Sequence, residues 1–192
     1  MNDDSVSPVD AAREAAIDRL LAEAAIKRVL HRYCYGADRA DEEALRSVYH
    51  EDGIDEHGTN FVGSGWDFAA YTCALAREAP HFSTMQHHIT TMNIEIHGLV
   101  AAAETYVLAL HVPVSGNQIA MVGGRYLDRF ECRDGEWRVA YRRFVHDLDV
   151  QLPPEPAFAE GIGTYIEGSR TPSDDSYALF SAVAEGRPWP NG

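Results

Sequence analysis

The chain is poor in cysteine and in basic residues, and it has no long apolar run. Its three cysteines, Cys34, Cys73 and Cys132, are odd in number and far apart, with no CxxC pair. That pattern argues against a disulfide framework and a cysteine zinc site, and each thiol reads as a small buried hydrophobe. Lys and Arg total 16 against 30 Asp and Glu, giving a formal net charge of -14. Nucleic acid and anionic membrane surfaces are therefore poor partners, because phosphate binding needs clustered cations. No window approaches the ~18 apolar residues of a membrane span. The opening MNDDSVSPVD is acidic rather than basic-then-apolar, so the expected location is cytoplasmic. G-x-G-x-x-G, P-loop, G-x-S-x-G and HExxH motifs are all missing, as are HxH and H-x3-H spacings. No cofactor and no metal are expected.

What is present describes one domain with a tail. Hydrophobic residues make up 45% of the 192 positions and charged residues 24%, ordinary values for a globular protein. Residues 1–15 are expected to be a disordered N-terminal segment, 16–150 the folded domain, and 151–192 a Pro-rich C-terminal extension holding six of the nine prolines. Ile26, Leu30, Tyr33 and Ala37 recur at helical steps. Asp41 is placed to cap a second helix that Gly53 would stop. WDFAAYTCALAREA reads as a third helix ended by Pro80. The period then changes. HHITTMNIEIHG, AAAETYVLALHVPV, QIAMVGGRYLDRFEC and EWRVAYRRFVHDLDV are four strand candidates, and Asp134-Gly135 is the signal of a tight primed turn. SDDSYALFSAVAEG predicts one short helix in the tail. Three helices followed by hairpins give an α+β fold with helices covering a curved antiparallel sheet, and a bent sheet closed in this way encloses a cone-shaped cavity.

Several residues are suited to chemistry there. Asp38 follows Leu30 and Cys34 at four-residue steps near the negative end of the first helix. Burial and dipole would favour its protonated form, as in a general base, whereas a solvated helix end gives it no role. Strand alternation groups His88 with Met92, Ile94 and Ile96, which points His88 inward and His87 outward unless a bulge reverses them. His111 shares a face with Thr105, Val107 and Ala109, small residues that leave room for a ligand or for a close-packed helix. Alternation also groups Trp137, Val139, Tyr141, Arg143 and Val145, so Arg143 would point inward toward a carboxylate or a substrate oxygen.

The order of a helix with Y-x4-D, then L-x2-VYHEDG, QHHI and GRYLDRFECRDGEWRVAYRR, resembles the SnoaL-like branch of the nuclear transport factor 2 (NTF2-like) superfamily over roughly residues 17–148. The resemblance implies a cone-shaped α+β barrel, a homodimer or homotrimer, and no cofactor. It is strongest to the dehydratase and lyase members, such as scytalone dehydratase, bile acid 7α-dehydratase and the diarylpropane lyases. It places Asp38 and His87 on their acid–base pair and therefore implies a bulge at the strand start. Tyr33, His111 and Arg143 fall on further catalytic positions. Ala37 and Glu56 stand where the water-holding tyrosines of scytalone dehydratase would be, which argues against that particular reaction. Tyr49, Phe61, Trp66, Tyr126, Tyr141 and His88 are the expected substrate-binding residues for a bulky aromatic alcohol or diol. The competing functions are a ketosteroid-type isomerase and a non-catalytic binding domain.

Overall fold

The computed structural model describes residues 7–116, 118–153, 166 and 168–188. Among the described residues, four helices and six strands follow in order: α1 (Pro8–Arg39), α2 (Glu42–Ser47), β1 (Tyr49–His57), β2 (Phe61–Ser64), α3 (Gly65–Glu78), β3 (Phe82–His97), β4 (Val100–Pro113), β5 (Ile119–Arg133), β6 (Glu136–Leu152) and α4 (Asp175–Ala184). The strands form one open sheet in the order β2-β1-β6-β5-β4-β3. The core lies between the sheet and the helices, on Ile26, Leu30, Tyr33, Leu45, Tyr49, Phe68, Tyr126, Phe130 and Val139.

Helix formation starts earlier than composition suggests. The segment expected to be disordered is helical from Pro8 onward, and only residues 1–6 lie outside the described residues. Pro8 occupies the first turn, where its missing N–H is harmless, and the Ser7 hydroxyl accepts from Val9 N. Alanine-rich sequence then carries a solvent-exposed stretch into the buried half. At the other end Ala40 takes the left-handed conformation, and Asp41 N–H closes back on the Gly36 carbonyl at 2.9 Å. Gly36 is required there. A Cβ would come within 2.9 Å of both Leu45 Cγ and the Leu45 backbone nitrogen, so α2 packs directly on the glycine.

The second helix is shorter than expected. It stops at Ser47, and the VYHEDG run, read as helical up to Gly53, is mostly strand. Val48 and Tyr49 are buried against Val139, and packing of a β-branched and an aromatic side chain on the sheet outweighs the local helical pattern. The sheet is consequently mixed. β3 to β6 pair antiparallel as the short connections require, while β1 runs parallel to β6. Asp134 and Gly135 both adopt positive φ, 54° and 81°, as the primed turn demands.

Two bulges set which side chains face the core. In β3, Ile89 pairs with Val107 and Met92 with Thr105, so Thr90 and Thr91 together oppose Tyr106. In β6, Val139 pairs with Phe130 and Tyr141 with Arg129, leaving Ala140 as the extra residue. Each inserted residue reverses the in–out parity of everything on its far side.

The tail lies across the C-terminal end of α1. Asp174 accepts from Ser169 N, Ser176 N and the Ser176 hydroxyl and pairs with Arg39 at 3.3 Å. These donors hold its carboxyl down at about 2, the Ser169 backbone bond contributing most. Tyr177 donates to Asp41, and Tyr177 and Phe180 pack on Tyr35.

Candidate active site

The β3 bulge answers the question posed by the adjacent histidines. Beyond Thr90–Thr91 the core phase is set by Met92, Ile94 and Ile96. Before the bulge it passes to Ile89 and His87. His88, which unbroken alternation points inward, is exposed on the other face. The resemblance implied a bulge at the strand start; β3 has an irregularity there, between Phe82 and Thr84, but the bulge that turns His87 inward lies two to three residues after the histidines.

His87 meets Asp38 from α1. Its Nδ1 lies 2.6 Å from Asp38 Oδ1, and its backbone N–H donates to Oδ2 at 3.1 Å. One residue thus holds both carboxylate oxygens. The His87 and Asp38 side chains are 10% and 15% exposed, so the pair is sheltered yet reachable. Nδ1 is engaged, and Nε2 is the imidazole nitrogen without a partner among the described residues.

His111 completes the group. β4 places it on the inward face with Thr105, Val107 and Ala109, its ring 5.7 Å from that of His87 and stacked on Phe82 at 4.8 Å. Its Nε2 is buried without a hydrogen-bond partner. Burial, then the neighbouring His87, push its pKa down to about 4, so the ring is neutral at pH 7.

Arg170, in the tail, closes this end. Its guanidinium donates to the carbonyls of Ala37 (3.2 Å), Asp38 (3.2 Å) and Phe82 (3.3 Å). A cation is well placed on the carbonyl end of a helix. Burial lowers its pKa from the ordinary arginine value, and Asp38 opposes that shift. Beside it a cavity of about 130 Å³ is lined by Thr72, Leu75, Phe82, Met85 and Arg170 among others. That is well below the roughly 300–1,000 Å³ of a typical ligand pocket.

The other expected residues separate into three groups. Tyr33, Tyr49 and Tyr126 are buried in the core rather than lining a roomy cone. Tyr33 packs edge-on to Tyr126 at 5.3 Å, and Tyr49 donates to Asp55 at 2.6 Å. Phe61 is half-buried on the rings of Phe68 and Tyr71. Trp66 faces a surface groove under the Arg46 guanidinium, 4.5 Å away, and is not brought to the dyad.

Arg143 and Tyr141 are the third group and do not point inward. The Ala140 bulge turns them outward, where both engage Glu56, and the Arg143 side chain is 53% exposed. The inward arginine is Arg142. It is fully buried, donates to both Asp128 oxygens at 2.7 and 2.8 Å, and lies 4.1 Å from the ring centres of Tyr33 and Tyr126. Burial opposes its charge, but Asp128 holds it protonated. Asp55, His57, Arg142 and Arg170 all escaped the sequence reading. The YRR run contained the signal for Arg142, and only the bulge decides between its two arginines.

Among the described residues no group of three or more His, Cys, Asp or Glu side chains could hold a metal ion. No described helix is long and apolar enough to cross a membrane.

Comparison with known proteins agrees with this architecture. A family model described as a SnoaL-like domain matches residues 18–143. A hexachlorocyclohexane dehydrochlorinase (LinA, type 2) superposes with a TM-score of 0.65 at 24% identity, covering 73% of this chain and 95% of that one. A candidate scytalone dehydratase from Novosphingobium aromaticivorans gives 0.63 at 22%, covering 71% and 91%. A Mycobacterium tuberculosis protein of unknown function gives 0.58 at 28%, covering 67% and 77%. No curated protein sequence matches significantly.

Proposed function

The chain belongs to the SnoaL-like domain family, within the NTF2-like superfamily, and from that premise we propose that it is a cofactor-independent lyase acting on a bulky aromatic alcohol or diol. The observation that carries this reading is the 2.6 Å contact between His87 Nδ1 and Asp38 Oδ1, with the unpartnered, neutral His111 beside it. Dehydration and dehydrochlorination, the reactions for which two of the structural neighbours are named, are both eliminations and support the same class.

The geometry favours a division of labour different from the one expected from sequence, where Asp38 was the base. Asp38 sits on Nδ1, fixing the imidazole's orientation and tautomer, so His87 Nε2 is the atom positioned to move a proton. His111 can offer a hydrogen bond to a substrate oxygen without competing for that proton. Arg142 replaces Arg143 as the interior cation. In a dehydration, His87 removes a proton from carbon, the C=C bond forms, and the departing hydroxide takes that proton back from His87 to leave as water. In the diol variant, for which a diarylpropane-1,3-diol is the named candidate, His87 takes the terminal hydroxyl proton. The C–C bond then breaks to release formaldehyde, its electrons form the C=C bond, and the benzylic hydroxyl leaves as water with the proton returned from His87. Neither route needs a cofactor. Assembly as a homodimer or homotrimer belongs to the same proposal and is read by light scattering.

The test uses purified protein with EDTA, a panel of aromatic alcohols and propane-1,3-diols, ultraviolet absorbance for the new double bond, and a formaldehyde assay. Turnover should fall about 10²- to 10⁴-fold in Asp38→Asn. Absorbance with formaldehyde identifies the carbon–carbon lyase, and absorbance alone the dehydratase. A product of unchanged mass would indicate an isomerase, and a fully active Asp38→Asn would remove the dyad from the mechanism.

A further inference from the structure

A second aspartate–histidine pair shares no hydrogen bond with Asp38, His87 or His111 among the described residues. β1 ends in Asp55-Glu56-His57, and its parallel register with β6 sets Asp55 beside Arg142 and Glu56 beside Arg143. Asp55 is completely buried. Tyr49 donates to its Oδ2 at 2.6 Å, and His57 Nδ1 lies 2.5 Å from its Oδ1. Both oxygens are therefore occupied, and the carboxylate fixes the imidazole as Asp38 fixes His87. The His57 ring is also clamped between Phe68 and Phe144, at 4.7 and 5.4 Å with 11° between planes in each case. Its Nε2 has no partner among the described residues, and the side chain keeps 18% of its surface exposed. Phe61 and Phe144 beside it are only half-buried.

A packing histidine needs no buried carboxylate on one nitrogen, no aromatic plate on each face and no open second nitrogen. We propose that His57, held by Asp55 and Tyr49, is a binding and proton-accepting site for the hydroxyl of an aromatic ring, a phenol. In its neutral form the imidazole donates through Nδ1 to the Asp55 carboxylate, and Nε2 then presents a lone pair to a donor. The surrounding aromatic rings select a flat apolar ligand body. The cluster sets two carboxylates, Asp55 and Asp128, against one guanidinium, Arg142, a surplus of acidic groups that disfavours an anionic ligand. A phenol brings no added charge. If its proton moves to Nε2, the imidazolium pairs with Asp55 and the phenolate remains beside it.

The inference does not depend on the lyase reading, and its test needs no turnover. Binding of 4-ethylphenol, 4-ethylanisole, 4-ethylbenzoate and 4-ethylbenzylamine is compared by calorimetry and by ¹⁵N spectra of histidine-labelled protein. The phenol should bind at least about tenfold tighter than its methyl ether and shift the His57 ring nitrogens. His57→Asn retains an N–H for Asp55 while deleting Nε2 and should abolish the preference. Asp38→Asn should keep it. Equal binding of phenol and ether would leave only an apolar notch with a bound water and overturn the proposal. So would tighter binding of the benzoate or the amine, or a response at His87 instead of His57. The spectra of wild-type protein decide the matter even if His57→Asn folds poorly.

Discussion

Replacing Arg142 with methionine removes a cation from a fully buried site. The guanidinium and Asp128 are both fully buried and share two hydrogen bonds of 2.7 and 2.8 Å. Breaking such a pair from one side leaves an uncompensated buried carboxylate, worth about 3–5 kcal/mol. Lost stacking on Tyr33 and Tyr126 keeps the expected value near 4 kcal/mol, a large share of a typical domain's stability. The loss should depend on pH. Burial already raises the Asp128 pKa with the guanidinium present, and without it the folded-state value rises further above that of the unfolded chain. A group shifted upward stabilises the fold at low pH and loses that contribution as pH climbs through its folded value. The deficit relative to wild type should thus be smallest near about pH 4 and grow toward neutrality. The acid sensitivity from His111 is common to both proteins and cancels. Urea unfolding across that range measures the deficit, and Arg142→Met with Asp128→Leu should recover all but about 1–2 kcal/mol. A deficit below about 1 kcal/mol at neutral pH, or one that does not change with pH, would refute the reasoning.

Three further outcomes are expected. The depressed His111 pKa makes the unfolded chain take up a proton before the folded one does. Wild-type stability should therefore fall by about 2 kcal/mol as pH drops from 6.5 toward 4, and His111→Phe should remove that part of the loss in paired urea titrations. Arg170→Ala should lower stability by roughly 1–3 kcal/mol and speed amide exchange in the last turn of α1, where the tail carries that end of the helix. Arg143→Ala should change thermal stability by less than about 0.5 kcal/mol and leave turnover intact, since its ion pair is on the surface.

The features legible from the sequence are those fixed by local chemistry. Asp134-Gly135 can form little besides a primed turn, the alternating runs of β3 to β6 are long enough to outvote noise, and the four-residue steps from Leu30 and Cys34 put Asp38 on the inner edge of α1. What remained hidden depended on single inserted residues and on partners distant in the chain. Nothing in YRR announces that Ala140 is a bulge, so alternation chose Arg143 over Arg142. Nothing in VYHEDG shows that it will lie parallel to a strand some 90 residues later. Arg170 reaches the end of α1 with no local signal for doing so, and Asp55-x-His57 reads as a solvated strand end until the core forms around it.

The bulge in β3 has an evolutionary consequence. The core holds Met92, Ile94 and Ile96 in place and Ile89 stays opposite Val107, so deleting one threonine at 90 or 91 would remove only the extra residue and leave His87 facing Asp38. A one-residue deletion ordinarily turns every position on the far side of a strand to the other face. Here the lineage can shorten the strand by one threonine without losing the group that faces Asp38.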